Sequence, residues 1–278
     1  MMKKLLAALF MFVMSAQFDS LWAGEFEEAV SAFSHGNHGN NYAIARKTFS
    51  KLAAEGNASA QFYLGRMSIH SSRGVVRDYS ETLKWFRLSA SQGFSRAQNY
   101  LGLMYLYGQG VAQDYAEAAK WYRLSAEQGD EESQYYLGAL YERGQGVAQD
   151  YTEAAKWYRL SAEQGYSTAQ VNLGDMYLYG QGVAQDYAEA IKWYRLPAGH
   201  GVTSAQKKLG LMYFKGQGVA QDFIRAHMWE NLAAIDGDAT AIKARDSIAE
   251  QMTRQQIAEA QKLARACQVN FYEDEGCN

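Results

Sequence analysis

The chain has 278 residues, 48% of them hydrophobic, with a single proline and a net charge of −3. That length and apolar fraction supply an ample core and fit a helical globular chain rather than a disordered one. Residues 1–23 hold Lys3, Lys4 and Asp19, so the remainder carries −4, which argues against a nucleic-acid partner that would want a basic stripe.

Residues 1–23 read as a secretory signal peptide. Lys3 and Lys4 form the charged start, and Leu5 to Met14 the apolar stretch. Ten apolar residues fall short of the roughly 20 a bilayer-spanning helix needs. Cleavage after Ala23 or after Ala16 fits the pattern; the alternative is a buried N-terminal helix. No cysteine stands near the cut to carry a lipid anchor. The chain is therefore expected to be periplasmic or secreted, and not an integral membrane protein after cleavage.

Residues 24–57 read as a degenerate N-terminal capping helix pair. Glu25 to Phe33 and Tyr42 to Ala54 are both amphipathic. The loop between them holds His35 and His38, which lack a third metal ligand and read as solvated loop histidines. No metal site and no cofactor are expected.

Residues 58–237 are five repeats. Units start at Ala60, Ala97, Ser133, Ala169 and Ala205, spaced 37, 36, 36 and 36 residues apart. A fixed period in this range marks a solenoid, because one helix pair cannot bury its apolar face alone. In the unit from Ser133, Tyr136, Leu137, Ala139, Leu140 and Tyr141 fall at helical spacing, and Gly144 ends the helix. GQGVAQ is a short loop. Asp150 is an N-cap residue with Glu153 three positions on, an acidic capping box. The pair recurs as Asp78/Glu81, Asp114/Glu117 and Asp186/Glu189, whereas Asp222 faces Arg225. The second helix stops at Gly165. The recurrent interior glycines Gly65, Gly102, Gly138, Gly174 and Gly210 each cost about 1 kcal/mol relative to alanine, and predict a close approach by an aromatic of the second helix, the Trp-Tyr pair. Pro197 stands where other units have Ser89, Ser125 and Ser161, which predicts a kink or early end near Leu196.

Residues 238–278 read as C-terminal capping helices with a clipped tail. Ala239 to Gln251 forms one more first-type helix. Thr253 with Gln256 is a second capping box, opening a helix through Ala266. The two cysteines, Cys267 and Cys277, would form one disulfide bond in an oxidising compartment; free thiols or intermolecular pairing are the alternatives.

The pattern A-Q-x-x-L-G-x-M-Y, G-x-G-V-x-x-D-Y, E-A-x-K-W-Y-R-x-A-x-x-G resembles the Sel1-like repeat, a relative of the tetratricopeptide repeat, over about Ser59 to Gly237. The C-terminal segment resembles the closing segment of bacterial Sel1-like proteins. The resemblance implies an all-α fold, a right-handed α-solenoid superhelix of stacked helix–turn–helix repeats, with the first helices lining its concave surface.

The copies also compare with one another. Counting from Ala-Gln as 0 and 1, positions 0, 1, 4, 5, 7 and 8 hardly change, while 2, 3, 6, 9 and 10 change freely. At about 100° per residue these sets occupy opposite faces. The steady set is the packing face. The changing set would line the groove: Phe62, Tyr63, Arg66 and His70, then Asn99, Tyr100, Leu103 and Tyr107, then Tyr135, Tyr136 and Arg143, then Val171, Asn172, Asp175 and Tyr179, and last Lys207, Lys208 and Lys215. Tyrosine and arginine supply large contact area with a polar handle. The gradient from aromatic to lysine suits a peptide with an apolar segment and an acidic end.

The reading is a non-enzymatic protein–protein interaction scaffold of the bacterial envelope. Peptidoglycan or polysaccharide binding on the groove tyrosines is the alternative. A remote alternative comes from the resemblance: a cysteine-rich subgroup of Sel1-like proteins is linked to β-lactam hydrolysis. The repeats here hold no cysteine pair. The one Ser-x-x-Lys, Ser204 to Lys207, crosses a repeat boundary and lacks companion motifs.

Overall fold

The structure, a computed structural model, describes residues 24–34, 39–69 and 78–269. The signal segment 1–23, the histidines at 35 and 38, His70 and Cys277 all lie outside them. Among the described residues every regular element is a helix: α1 (24–34), α2 (Gly39–Ala54), α3 (Ala58–Ile69), α4 (Tyr79–Ser91), α5 (Ser95–Tyr107), α6 (Tyr115–Ala126), α7 (Glu131–Arg143), α8 (Tyr151–Glu163), α9 (Ser167–Tyr179), α10 (Tyr187–Gly199), α11 (Thr203–Lys215), α12 (Phe223–Ala233), α13 (Ala239–Ala249) and α14 (Arg254–Val269). Odd-numbered helices from α3 to α11 are the first helices of the repeats, and even-numbered ones from α4 to α12 the second. The fold is an all-α repeat solenoid. The chain divides into two compact units, Met1–Gln128 and Gly129–Asn278.

In the first unit, α1, α2 and α3 close a core of Phe49, Leu52, Leu64 and Met67, with Phe26 and Tyr63 packed against it. A second core joins Phe62, Phe86, Leu101 and Met104 across α3, α4 and α5. In the second unit one core holds Tyr158, Leu173 and Met176. Another holds Tyr194, Leu209, Met212 and Trp229, and Ala264 and Cys267 of α14 complete it.

The recurrent letters have local causes. The glutamine of Ala-Gln is buried and donates backwards to a second-helix carbonyl: Gln98 to Ala90 O at 3.3 Å, Gln170 to Ala162 O at 3.1 Å. Its amide oxygen accepts from a glutamine at the end of its own repeat, Gln128 to Gln98 at 2.7 Å and Gln164 to Gln134 at 2.8 Å. The serine of the second helix donates to a first-helix carbonyl, Ser125 Oγ to Ser95 O at 2.9 Å and Ser161 Oγ to Glu131 O at 2.7 Å. The first glycine of GQGVAQ takes the left-handed conformation that ends the first helix (Gly144, φ +66°). The second packs on an earlier helix start: a Cβ at Gly110 would lie 2.5 Å from that of Tyr79.

Two local expectations are corrected. Asp114, Asp150 and Asp186 cap their helices through two backbone N–H groups each. The acidic boxes do not close, because the aspartate N–H already donates to a first-helix carbonyl, Asp150 to Tyr141 O at 3.0 Å. The glutamate then pairs one turn on, Glu117 with Lys120, Glu153 with Lys156 and Glu189 with Lys192. Pro197 does not end α10 early: the helix has 13 residues, as α8 has. The proline sits in the last turn, where it gives up its own N–H and the hydroxyl bond that Ser125 and Ser161 make to a first-helix carbonyl, and its buried ring fills the place of the serine. The Thr253–Gln256 box does close, with Thr253 N donating to Gln256 Oε1 at 2.9 Å and Gln256 N to Thr253 Oγ1 at 3.2 Å. Cys267 is fully buried.

Candidate partner-binding face

Each first helix is fixed from below by the second helix of its own repeat. Tyr122, Tyr158 and Tyr194 are fully buried. Their rings occupy the space where a side chain on the repeated glycine would begin: a Cβ at Gly102, Gly138 or Gly174 would lie 2.6, 2.8 or 2.5 Å from the ring of Tyr122, Tyr158 or Tyr194. Phe86 does the same under Gly65. The aromatic in question is thus the tyrosine of Trp-Tyr, not the tryptophan.

The changing positions do not all face outward. Position 2 is interior: Phe62 is 1% exposed and Asn99 2% exposed, and Val171 is also buried. The reason lies in the next repeat. Phe62 stacks near Phe94, with ring centroids 5.3 Å apart. Tyr135 meets Tyr166 at 5.1 Å. Lys207 Nζ meets Asp238 at 3.1 Å. Position 2 therefore packs on the residue three before the next repeat, and the two vary together. Tyr63 is likewise drawn inward, stacked on Phe49 at 4.9 Å. Arg66 lies over the Phe33 ring at 5.7 Å. Tyr100 is half-buried against Phe62 and Phe86. Phe62, Asn99 and Val171 are corrected to the packing interior, and Tyr63 is half-buried.

Positions 3, 6 and 10 line the open face. In the first unit these include Tyr63, Arg66, Tyr100 and Leu103, all half-buried, and Tyr107, which is 57% exposed. In the second unit they include Tyr136, Arg143, Asn172, Asp175, Tyr179, Lys208, Leu211 and Lys215. Tyr179 is 63% exposed, and Arg143 and Lys215 are exposed at the same register one repeat to either side. Leu211, 45% exposed, joins this face although the sequence reading did not include it; the signal for it is the variation at position 6, where its copies are Arg66, Leu103, Ala139 and Asp175.

The charges are partly spoken for. Asp175 accepts from the buried Tyr194 hydroxyl at 2.5 Å and pairs with Lys208 at 2.6 Å. Burial pushes the Tyr194 phenol well above its usual range, and the Asp175 carboxylate adds to it. Tyr158 behaves alike: its hydroxyl donates to Glu142 at 2.6 Å, and burial, then Glu142, push it up. Lys207 donates to Asp238 and Thr240. So the lysine-rich end is neutralised at Lys207 and Lys208, and Lys215 carries the cationic character there. The Lys207 ammonium is directed at Asp238 rather than offered to Ser204 as a base.

The Sel1 repeat model matches residues 58–94, 95–130, 131–166, 167–197 and 203–238. The chain belongs to the Sel1 repeat family. Two solved Sel1-type structures resemble it. A protective antigen present in uropathogenic Escherichia coli strains, displaying an SLR fold, is 33% identical with a TM-score of 0.79, over 92% of this chain and 55% of that one. This chain thus spans about half the length of that protein. A Sel1 repeat protein from Oxalobacter formigenes is 30% identical with a TM-score of 0.70, over 84% of this chain and 94% of that one. No curated protein matches the chain. Sel1 repeat proteins are in general protein-interaction scaffolds, and their fold is typically non-catalytic. Among the described residues, no helix is long and apolar enough to cross a membrane.

Proposed function

We propose that this Sel1 repeat protein is an exported envelope scaffold that captures an extended protein segment on the open face of its first helices. The observation that carries this reading is Tyr179, 63% exposed between Arg143 and Lys215 at one register of α7, α9 and α11. An exposed tyrosine flanked by two cations suits a segment with an aromatic or apolar side chain between acidic ones. The tyrosine offers area with a polar rim, and the cations steer an acidic partner in a salt-dependent way. Export rests on residues 1–23 and their charged-then-apolar pattern.

The test is binding of an immobilised peptide array, aromatic between glutamates against the same peptides with lysines. The wild type should select the acidic set, less strongly as salt rises. A variant carrying Arg143→Ala, Tyr179→Ala and Lys215→Ala should lose that selection. Full retention would move the site elsewhere. A glycan array run beside it tests the polysaccharide alternative, and a nitrocefin assay with Ser204→Ala tests hydrolysis. N-terminal sequencing of exported protein tests the signal; a retained Met1 would overturn it.

A further inference from the structure

The same three positions stand at every junction between repeats, and their chemistry changes from one junction to the next. At the junction after α4, three rings meet: Phe62 of α3, Phe86 of α4 and Phe94 before α5, with Phe62 centroids 5.6 Å from Phe86 and 5.3 Å from Phe94. After α8 the equivalent positions are Tyr135, Tyr158 and Tyr166, with Tyr135 centroids 5.9 and 5.1 Å from the other two. After α12, where α13 and α14 close the second unit, the same three positions are Lys207, Glu230 and Asp238. The trio is mixed at the other two junctions (Asn99, Tyr122 and Asp130 after α6; Val171, Tyr194 and Val202 after α10), and only after α12 does a carboxylate replace the buried ring.

Its charges do not balance. Lys207 Nζ lies 3.2 and 3.1 Å from the two oxygens of Asp238. Asp238 is already the N-cap of α13, accepting from Thr240 N at 2.9 Å and Ala241 N at 2.8 Å. One ammonium thus serves two carboxylates and is bonded to one. Glu230 is 5% exposed and takes the place of the tyrosine ring under the glycine, where a Cβ at Gly210 would be 2.8 Å from its Oε1. Its Oε2 is buried without a hydrogen-bond partner. A buried carboxylate in that position is costly when ionised and tolerable when protonated.

We propose that Lys207, Glu230 and Asp238 form a proton-operated latch that holds α13 and α14 on the last repeat, closed when Glu230 is neutral and loosened when it ionises. Burial, opposed by Lys207 and reinforced by Asp238, pushes the Glu230 carboxyl up to about 7. The sign follows from an acid raised on folding: the stability is complete below the ordinary carboxylate value and is lost as pH rises through 7. The charged groups facing it are Lys207 from α11 and Asp238 from the start of α13. His227, on its own helix one turn earlier, is buried and pushed down by burial and by Arg245, with Asp246 opposing. On α14, Ala264 and Cys267 join the core while Arg254, Glu259, Lys262 and Arg265 are exposed. The latch is independent of the partner-binding reading.

The test is hydrogen exchange on the full chain, wild type against Glu230→Gln, at pH 5 and at pH 8. Comparison at equal pH cancels intrinsic exchange and the titration of His227. At pH 5, just above the ordinary carboxylate value, the two proteins should differ by about a few-fold at most. At pH 8 the amides of α13 and α14 should exchange roughly tenfold or more faster in the wild type, as loss of a carboxylate raised by more than one pH unit requires, while α5 and α6 stay equal. Equal protection at both pH values, or an equal change in every helix, would overturn the latch. Glu230→Tyr, which restores the residue of the sister repeats, should behave as Glu230→Gln does, and serves if the glutamine variant fails to fold.

Discussion

The ring of Tyr194 stands where a side chain at Gly174 would begin, 2.5 Å from the position of a Cβ, and its hydroxyl emerges beside Asp175 on the next residue of the same helix. One contact thus fixes how closely α10 approaches α9, and the other ties the buried helix to the open face. The glycine is a steric requirement, and the cost of an interior glycine is offset by the packed ring.

Filling that window should therefore destabilise the fold. Gly174→Val or Gly138→Val forces the tyrosine aside, an overpacking cost of about 1–3 kcal/mol. For a chain of this size that lowers Tm by several degrees. An unchanged melting curve would remove the packing role.

Asp175 should matter more than Tyr194 Oη. Asp175→Ala leaves a buried hydroxyl and a half-buried lysine without their acceptor, a cost of about 1–3 kcal/mol. Tyr194→Phe removes only the donor and leaves the Asp175–Lys208 pair intact, so it should cost less. Urea midpoints of the two variants decide the order. Because burial raises the Tyr158 and Tyr194 phenols, their neutral forms belong to the folded state. The stability they contribute is present below the ordinary tyrosine value and is lost as pH rises above it. Alkaline titration should show phenolate absorbance from these two only as the chain unfolds.

The caps and the glutamates should separate cleanly. Asp150→Ala removes the acceptor for Thr152 N and Glu153 N and should cost about 1 kcal/mol. Glu153 makes only an exposed pair with Lys156, so Glu153→Ala should cost less than about 0.5 kcal/mol. Equal losses in thermal denaturation would mean that the acidic box closes after all.

A Cys267–Cys277 disulfide is expected in exported protein. Mass spectrometry after alkylation without reductant should find neither thiol modified. In the chain-entropy model, so short a loop contributes about 2–3 kcal/mol, and reduction should lower Tm accordingly. Two alkylated cysteines on native protein would overturn the bridge.

The helix pairs, their ends and the packing face were legible in the sequence. They depend on interactions within one repeat: a 3.6-residue apolar period, a left-handed glycine at Gly144, an aspartate at Asp150. The early end expected at Pro197 does not occur, because the proline falls in the last turn, where the helix runs on to Gly199. The open face was legible only in part. Tyr107 and Tyr179 stand open, yet Phe62, Asn99 and Val171 vary just as freely and are interior.

Variation between copies means two different things, and one helix cannot tell them apart. It marks freedom at Tyr179, and it marks a matched partner at Phe62, Tyr135 and Lys207, whose partners Phe94, Tyr166 and Asp238 lie 31 or 32 residues on. The sequence by itself determined a Sel1 repeat solenoid, because local periodicity and capping need no distant partner. Only the tertiary structure decided which changing residues are surface, which lysines are already neutralised by Asp175 and Asp238, and that the junction after α12 is ionic around the buried Glu230. Those outcomes depend on what the next repeat brings against a side chain, and that distance in space is not written in the spacing of the chain.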